Sequence, residues 1–146
     1  LALVATLLAK YIFFLRLVAS GTFVWVILIA GISRALMVDL LVGLPYARPE
    51  SGMGQPFVAG ASFKRLLGAY LFLLLAVVYF GPIGLVLWLI GWIMTLLLKA
   101  RFKKTFGGIT GDLLGASNEL LETLLLLLCA LPGPSLQNVL GWSWLR

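Results

Sequence analysis

Long apolar stretches decide what this chain can become. Thr22 to Leu44 is interrupted only by Arg34 and Asp39, and it exceeds the roughly 20 helical residues that a bilayer core requires. Four further apolar runs follow the same pattern: Leu1 to Leu15, broken by Lys10, then Leu66 to Phe80, Ile83 to Leu98 and Leu113 to Leu131. Hydrocarbon supplies no water to backbone amides, so stretches of this kind must satisfy their own N–H and C=O groups as helices. The expectation is an all-α, polytopic integral membrane protein with about five transmembrane helices, forming a single membrane domain over residues 1–146. Only 11% of the residues are charged. Soluble domains carry about 25%.

The breaks between runs are equally readable. Ser20-Gly21 separates the first two spans, and Gly81-Pro82 joins two others as a tight, uncharged helical hairpin. Pro45 to Arg65 carries three prolines and several glycines and reads as a loop of some twenty residues. Pro132-Gly133-Pro134 ends the last run, and the tail with Trp142 and Trp144 suits a membrane interface. The chain opens on Leu1 inside an apolar run, with no methionine and no charged leader before it, so it is expected to be a fragment lacking a front portion. An oligomer partner or that N-terminal portion is the protein partner this implies.

Charge fixes orientation. Lys99, Arg101, Lys103 and Lys104 fall within six residues, and Arg48, Lys64 and Arg65 lie in the long loop, an even number of crossings away. The positive-inside rule puts both segments in the cytoplasm, and it accounts for the net charge of +6 better than nucleic acid does. All five acids then fall at or near that boundary: Asp39, Glu50, Asp112, Glu119 and Glu122. A cell (inner) membrane protein with a polar, cytoplasm-facing cavity is the expectation.

Several chemistries are excluded. Without histidine there is no imidazole base, no His-containing zinc site and no Ser-His-Asp triad. Cys129 is the only cysteine, lies in an apolar run and is expected to pack there. Trp25, Trp88 and Trp92 read as packing or interface residues.

The candidates that remain are carboxylates and glycines. At about 100° per residue, Asp112, Gly115, Ala116, Glu119 and Glu122 share one helix face, and Glu119 and Glu122 have Cβ atoms about 5–6 Å apart. Two such acids near hydrocarbon require a counter-charge, either a hard cation such as Mg²⁺ or a basic side chain such as Arg34 or a lysine. Just before them, Gly107-Gly108-Ile109-Thr110-Gly111-Asp112 places glycines and a hydroxyl ahead of a helix N-terminus. That arrangement suits a phosphate cradle and, equally, a tight turn capped by Thr110.

The stretch from Gly107 through Asp112 to Leu113-Leu114-Gly115-Ala116-Ser117-Asn118-Glu119-Leu120-Leu121-Glu122 resembles the C-terminal signature of the cobalamin synthase family, the adenosylcobinamide-GDP ribazoletransferases. Leu44-Pro45-Tyr46-Ala47-Arg48-Pro49-Glu50, with Gly52, Gly54 and Phe57 after it and Ser33-Arg34 before it, resembles the same family in order and spacing. The similarity covers the later part of a family member, and the Asp-rich motif of the family's front portion is absent from these residues. This resemblance implies a vitamin B12 (cobalamin) biosynthesis transferase: α-ribazole, or its 5′-phosphate, attacks the GDP-activated arm of adenosylcobinamide and GMP leaves, with Mg²⁺ as cofactor. It further implies Asp112 and Glu119 as catalytic groups, Asp112, Glu119 and Glu122 as metal ligands, and Arg34, Arg48, Gly108, Thr110 and Gly111 as substrate contacts. Two other classes compete. A CDP-alcohol-type phosphotransferase would need spaced aspartates that this sequence lacks, and a transporter or channel subunit would line a path with Asp39, Glu119 and Glu122. A non-catalytic membrane scaffold whose polar residues pair among themselves is the third alternative.

Overall fold

A computed structural model describes residues 2–47, 55–132 and 135. Six helices follow in order: α1 (Ala2–Ala19), α2 (Val24–Gly43), α3 (Gln55–Ala59), α4 (Phe63–Phe80), α5 (Pro82–Phe106) and α6 (Gly111–Ala130). The architecture is all-helical, and α2, α4, α5 and α6 are each long and apolar enough to cross a membrane. With α1 they make the five long helices expected.

Local chemistry explains the boundaries. Gly81 adopts φ 77° and donates its N–H to the Val77 carbonyl at 2.8 Å, after which Pro82 starts α5 where its missing donor costs nothing. Ser62 caps α4 by accepting from the Arg65 N–H at 3.4 Å, so this helix begins inside the stretch read from sequence as loop. The short α3 occupies another part of that stretch. Lys99 to Lys104 also belongs to a helix, because α5 continues without interruption to Phe106. Nothing between Ile83 and Phe106 breaks a helix, and its end comes where Gly107 takes the left-handed conformation at φ 74°.

α2 is the central helix. It packs against α4, α5 and α6, whereas α1 lies mainly on α6. The main core joins Trp25, Ile29, Ile32 and Leu36 of α2 to Leu73, Val77 and Phe80 of α4, Leu87 of α5, and Leu121 and Leu125 of α6. The Trp25 and Phe80 rings meet with centroids 5.0 Å apart. A Cβ on Gly91 would stand 2.8 Å from Leu36 Cδ1, which shows how closely α5 approaches α2. Small residues at such crossings are the usual device for packing helices in lipid. A second core, Leu40, Leu44, Phe102, Ile109 and Leu114, seals the end where the basic residues gather. The outward faces carry exposed apolar side chains such as Leu7, Tyr11, Leu71 and Leu75, as a lipid-facing surface requires.

The depth of the acids differs from the sequence expectation. Counting 1.5 Å per residue, Glu119 lies about 12 Å and Glu122 about 16 Å along α6 from Gly111, and Arg34 about 13 Å from the C-terminal end of α2. A 20-residue helix is about 30 Å long, so these groups sit near mid-span instead of at the boundary. The capping position explains the offset: α6 starts at Gly111, and the opening turns end before Glu119 is reached.

Candidate active site

Two polar regions sit on the same helix, one at its start and one near its middle. The first is built by backbone. Pro45, Tyr46 and Ala47 follow the extended Leu44 at the end of α2 and pair with the Gly108–Ile109 segment: the Ile109 N–H donates to the Pro45 carbonyl at 2.8 Å, and the Ala47 N–H donates to the Ile109 carbonyl at 2.9 Å. Gly108 is required at this crossing, because a Cβ there would collide with the Pro45 carbonyl oxygen. Thr110 then caps α6, its Oγ1 accepting from the Leu113 N–H at 3.3 Å. Gly111 is the first helical residue and Asp112 follows it, exposed, where its charge complements the helix dipole. Ala47, Phe106, Thr110, Asp112 and Leu113 line a cavity of about 340 Å³ at this junction. The basic C-terminal turns of α5, with Lys103 and Lys104, end beside it at Phe106.

The second region is built by side chains. Lys10 of α1 reaches across to α6, with Nζ 2.7 Å from Glu119 Oε2 and 2.5 Å from Glu122 Oε2. From α2, Arg34 Nη1 donates to Asn118 Oδ1 at 2.6 Å and to Glu122 Oε1 at 3.3 Å. Ser33 approaches the same Glu122 oxygen at 3.5 Å. Two cations and two carboxylates thus cancel in a low-dielectric setting, where removing one partner of such a pair costs about 3–5 kcal/mol. A separate pair, Lys99 Nζ and Asp39 Oδ2 at 2.9 Å, ties α5 to α2. It is an ion pair by distance without an aligned hydrogen bond to that buried oxygen. Lys99 lies over Gly43, where a Cβ would come within 2.6 Å of Nζ.

The sequence-derived residues therefore divide. Gly108, Thr110, Gly111 and Asp112 come together at the junction, and Arg34, Glu119 and Glu122 come together in the deep network. Asp112 stands roughly 10 Å along α6 from Glu119, so the three acids do not converge as one ligand set. Among the described residues no group of three potential ligands could hold a metal ion. The Lys10 ammonium takes the place between Glu119 and Glu122 where a cation would stand, so that pair does not fit a magnesium site. Asp112 alone suits the usual magnesium pattern of one or two carboxylates completed by substrate phosphates. Arg48 and Glu50, together with Trp142 and Trp144, lie outside the described residues.

Sequence reasoning gave no role to Lys10 or Asn118. The signal was present for Lys10: a lone cation inside an apolar span needs an anionic partner at its own depth. Asn118 carried no such signal.

Comparison with known proteins covers most of the chain. The family model described as "Cobalamin-5-phosphate synthase" matches residues 1–130. Among curated proteins, the adenosylcobinamide-GDP ribazoletransferase of Chlorobium chlorochromatii is 38% identical over 129 residues, covering 84% of this chain and 50% of the relative. The protein of the same name from Chlorobaculum tepidum is 34% identical over 144 residues, covering 90% and 53%. That from Pseudomonas syringae pv. syringae is 35% identical over 133 residues, covering 88% and 53%. The chain spans about half the length of the curated relatives it matches. No solved structure matches it.

Proposed function

The chain belongs to the cobalamin-5-phosphate synthase family, and from that premise we propose that it forms part of a membrane transferase joining α-ribazole, or its 5′-phosphate, to adenosylcobinamide-GDP. In this reaction a ribazole hydroxyl oxygen bonds to the phosphorus on the cobinamide arm, the phosphoanhydride bond to GMP breaks, and the hydroxyl proton is released. The observation that carries the reading is the pairing of Tyr46 with Ile109. It joins two stretches far apart in sequence, each resembling the same family, around a cavity that contains Asp112.

Phosphoryl transfer asks a protein mainly for positioning and charge neutralisation, which this junction can supply without histidine. The N-terminal turn of α6 favours phosphate oxygens, and Lys103 and Lys104 add positive potential beside it. Asp112 is the carboxylate placed to take the hydroxyl proton or to hold a hard cation together with substrate phosphates. Magnesium bound there would neutralise charge on the transferring phosphoryl group. Thr110 and Gly108 shape the turn, and Glu119 and Glu122 hold α1 against the helix that bears the site. The basic ends of α4 and α5 support a cytoplasmic face in an inner membrane for this junction.

Depth alone would suit a translocation path, since Glu119 and Glu122 are near mid-span. Their carboxylates are held by Lys10 and Arg34, however, which leaves a cation no open ligand pair. The test is direct: membranes containing the full-length polypeptide receive adenosylcobinamide-GDP and α-ribazole, and GMP release is followed alongside cobalamin formation. Coupled release of both products is expected. CMP release from a CDP-alcohol, with no GMP formed, would overturn the reading.

A further inference from the structure

Both segments of the junction hang from the ends of two helices that run side by side. A Cβ on Gly84 would meet Leu28, one on Gly91 would meet Ile32 and Leu36, and Lys99 reaches Asp39. Contacts thus advance together along both chains, and α2 and α5 are parallel. α2 then ends at Gly43 and leads into Pro45–Ala47, while α5 ends at Phe106 and leads into Gly108–Ile109. Whatever sets the spacing of these two helix ends also sets the segments that pair beside Asp112.

The seam changes character on the way. At Gly84 and Gly91 the small residue belongs to α5 and lets α2 side chains come close. At its end the small residue belongs to α2: a Cβ on Gly43 would stand 2.6 Å from Lys99 Nζ and 2.7 Å from Cε. A lysine this near a helix end can extend along apolar surface and place its ammonium among headgroups. Lys99 turns across the gap instead, to Asp39 Oδ2 at 2.9 Å, and the two side chains are only 21% and 11% exposed. A buried ion pair adds little net stability over an apolar one, and its best-attested use is to fix register. Asp39 lies about 6 Å along α2 from Gly43, and Lys99 about 10 Å along α5 from Phe106. The ion pair is therefore one tie between these helices, and the Ile109 and Ala47 hydrogen bonds are a second tie beyond their ends. Leu40, Leu44, Phe102 and Ile109 pack together within the loop so closed.

We propose that Asp39, Lys99 and Gly43 are positioning residues of the junction: the ion pair, seated over Gly43, sets the register of α5 on α2 and so aligns residues 45–47 with 108–109 beside Asp112. This rests on the transferase reading for its effect on rate, but not for its effect on the bridge.

Gly43→Ala is the informative change. The atoms its Cβ would meet are the far end of a flexible lysine, and Gly43 has no positive φ, so the helix can accept alanine while Lys99 is pushed off Asp39. In the full-length polypeptide the unfolding midpoint should therefore hold or rise. The kcat for GMP release should fall about tenfold or more with KM within about twofold, as expected when reacting groups are misplaced. Amide exchange at Ala47 and Ile109 should quicken about tenfold, while Ile29 and Leu121 in the main core keep their rates. Lys99→Ala should loosen the same two amides, and adding Gly43→Ala to it should change neither rate nor exchange further. Unaltered exchange at Ala47 and Ile109, an unaltered kcat, or a further fall in the double variant would each overturn the proposal. Exchange needs no turnover, so a wild-type protein that releases no GMP, with both single variants loosening the bridge, would sink the transferase reading and uphold the tie.

Discussion

The start and the middle of α6 set their acids in different surroundings. At the start, backbone hydrogen bonds between residues 45–47 and 108–109 fix the geometry, and Asp112 borders a cavity. In the middle, Glu119 and Glu122 are consumed by Lys10 and Arg34, and side chains from three helices fix the geometry. A carboxylate beside an accessible turn can serve a substrate. One neutralised inside a bundle serves assembly.

This contrast can be broken first at Lys10. Lys10→Met leaves two carboxylates without their main counter-charge, and a loss of about 3–5 kcal/mol in stability is expected, read as a lower unfolding midpoint in detergent. Adding Glu119→Gln and Glu122→Gln removes the stranded charges and should recover most of that loss. Failure to recover would mean that the acids do more than balance Lys10. Gly108→Ala should act at the other region, costing about 1–3 kcal/mol by forcing the turn away from Pro45, with activity falling further than stability. An unchanged midpoint would show the crossing to be looser than the Ile109–Pro45 hydrogen bond implies. The smallest effect is expected for Thr110→Ala, about 1 kcal/mol from loss of the cap at Leu113 N–H. Slower amide exchange at Leu113 in that variant would contradict the capping role.

The two regions also differ in how legible they were. The junction could be read because turn chemistry is local: three glycines, Thr110 and Asp112 announce a capped helix start within six residues. Its pairing with Pro45–Ala47 was not readable from spacing, because a two-bond bridge leaves no periodic pattern. The helices themselves were plain, since hydrocarbon thickness sets their length. The extension of α5 through its lysines was hidden because basic residues serve both as topology signals and as good helix formers. The network stayed out of sight for a different reason. Which cation reaches Glu119 and Glu122 depends on α1 packing against α6, and the sequence left Arg34, a lysine or a metal open, with the clustering of the acids favouring a metal.

The measurement that bears most directly on the account is the rate of GMP release by an Asp112→Asn variant of the full-length polypeptide, taken with its unfolding midpoint. The account predicts a fall of about 100-fold or more, typical for loss of a group that moves a proton or neutralises charge, with stability lowered by no more than about 1 kcal/mol from the lost helix-dipole charge. A wild-type rate from a normally folded Asp112→Asn protein would contradict it, and would move the chemistry away from the start of α6.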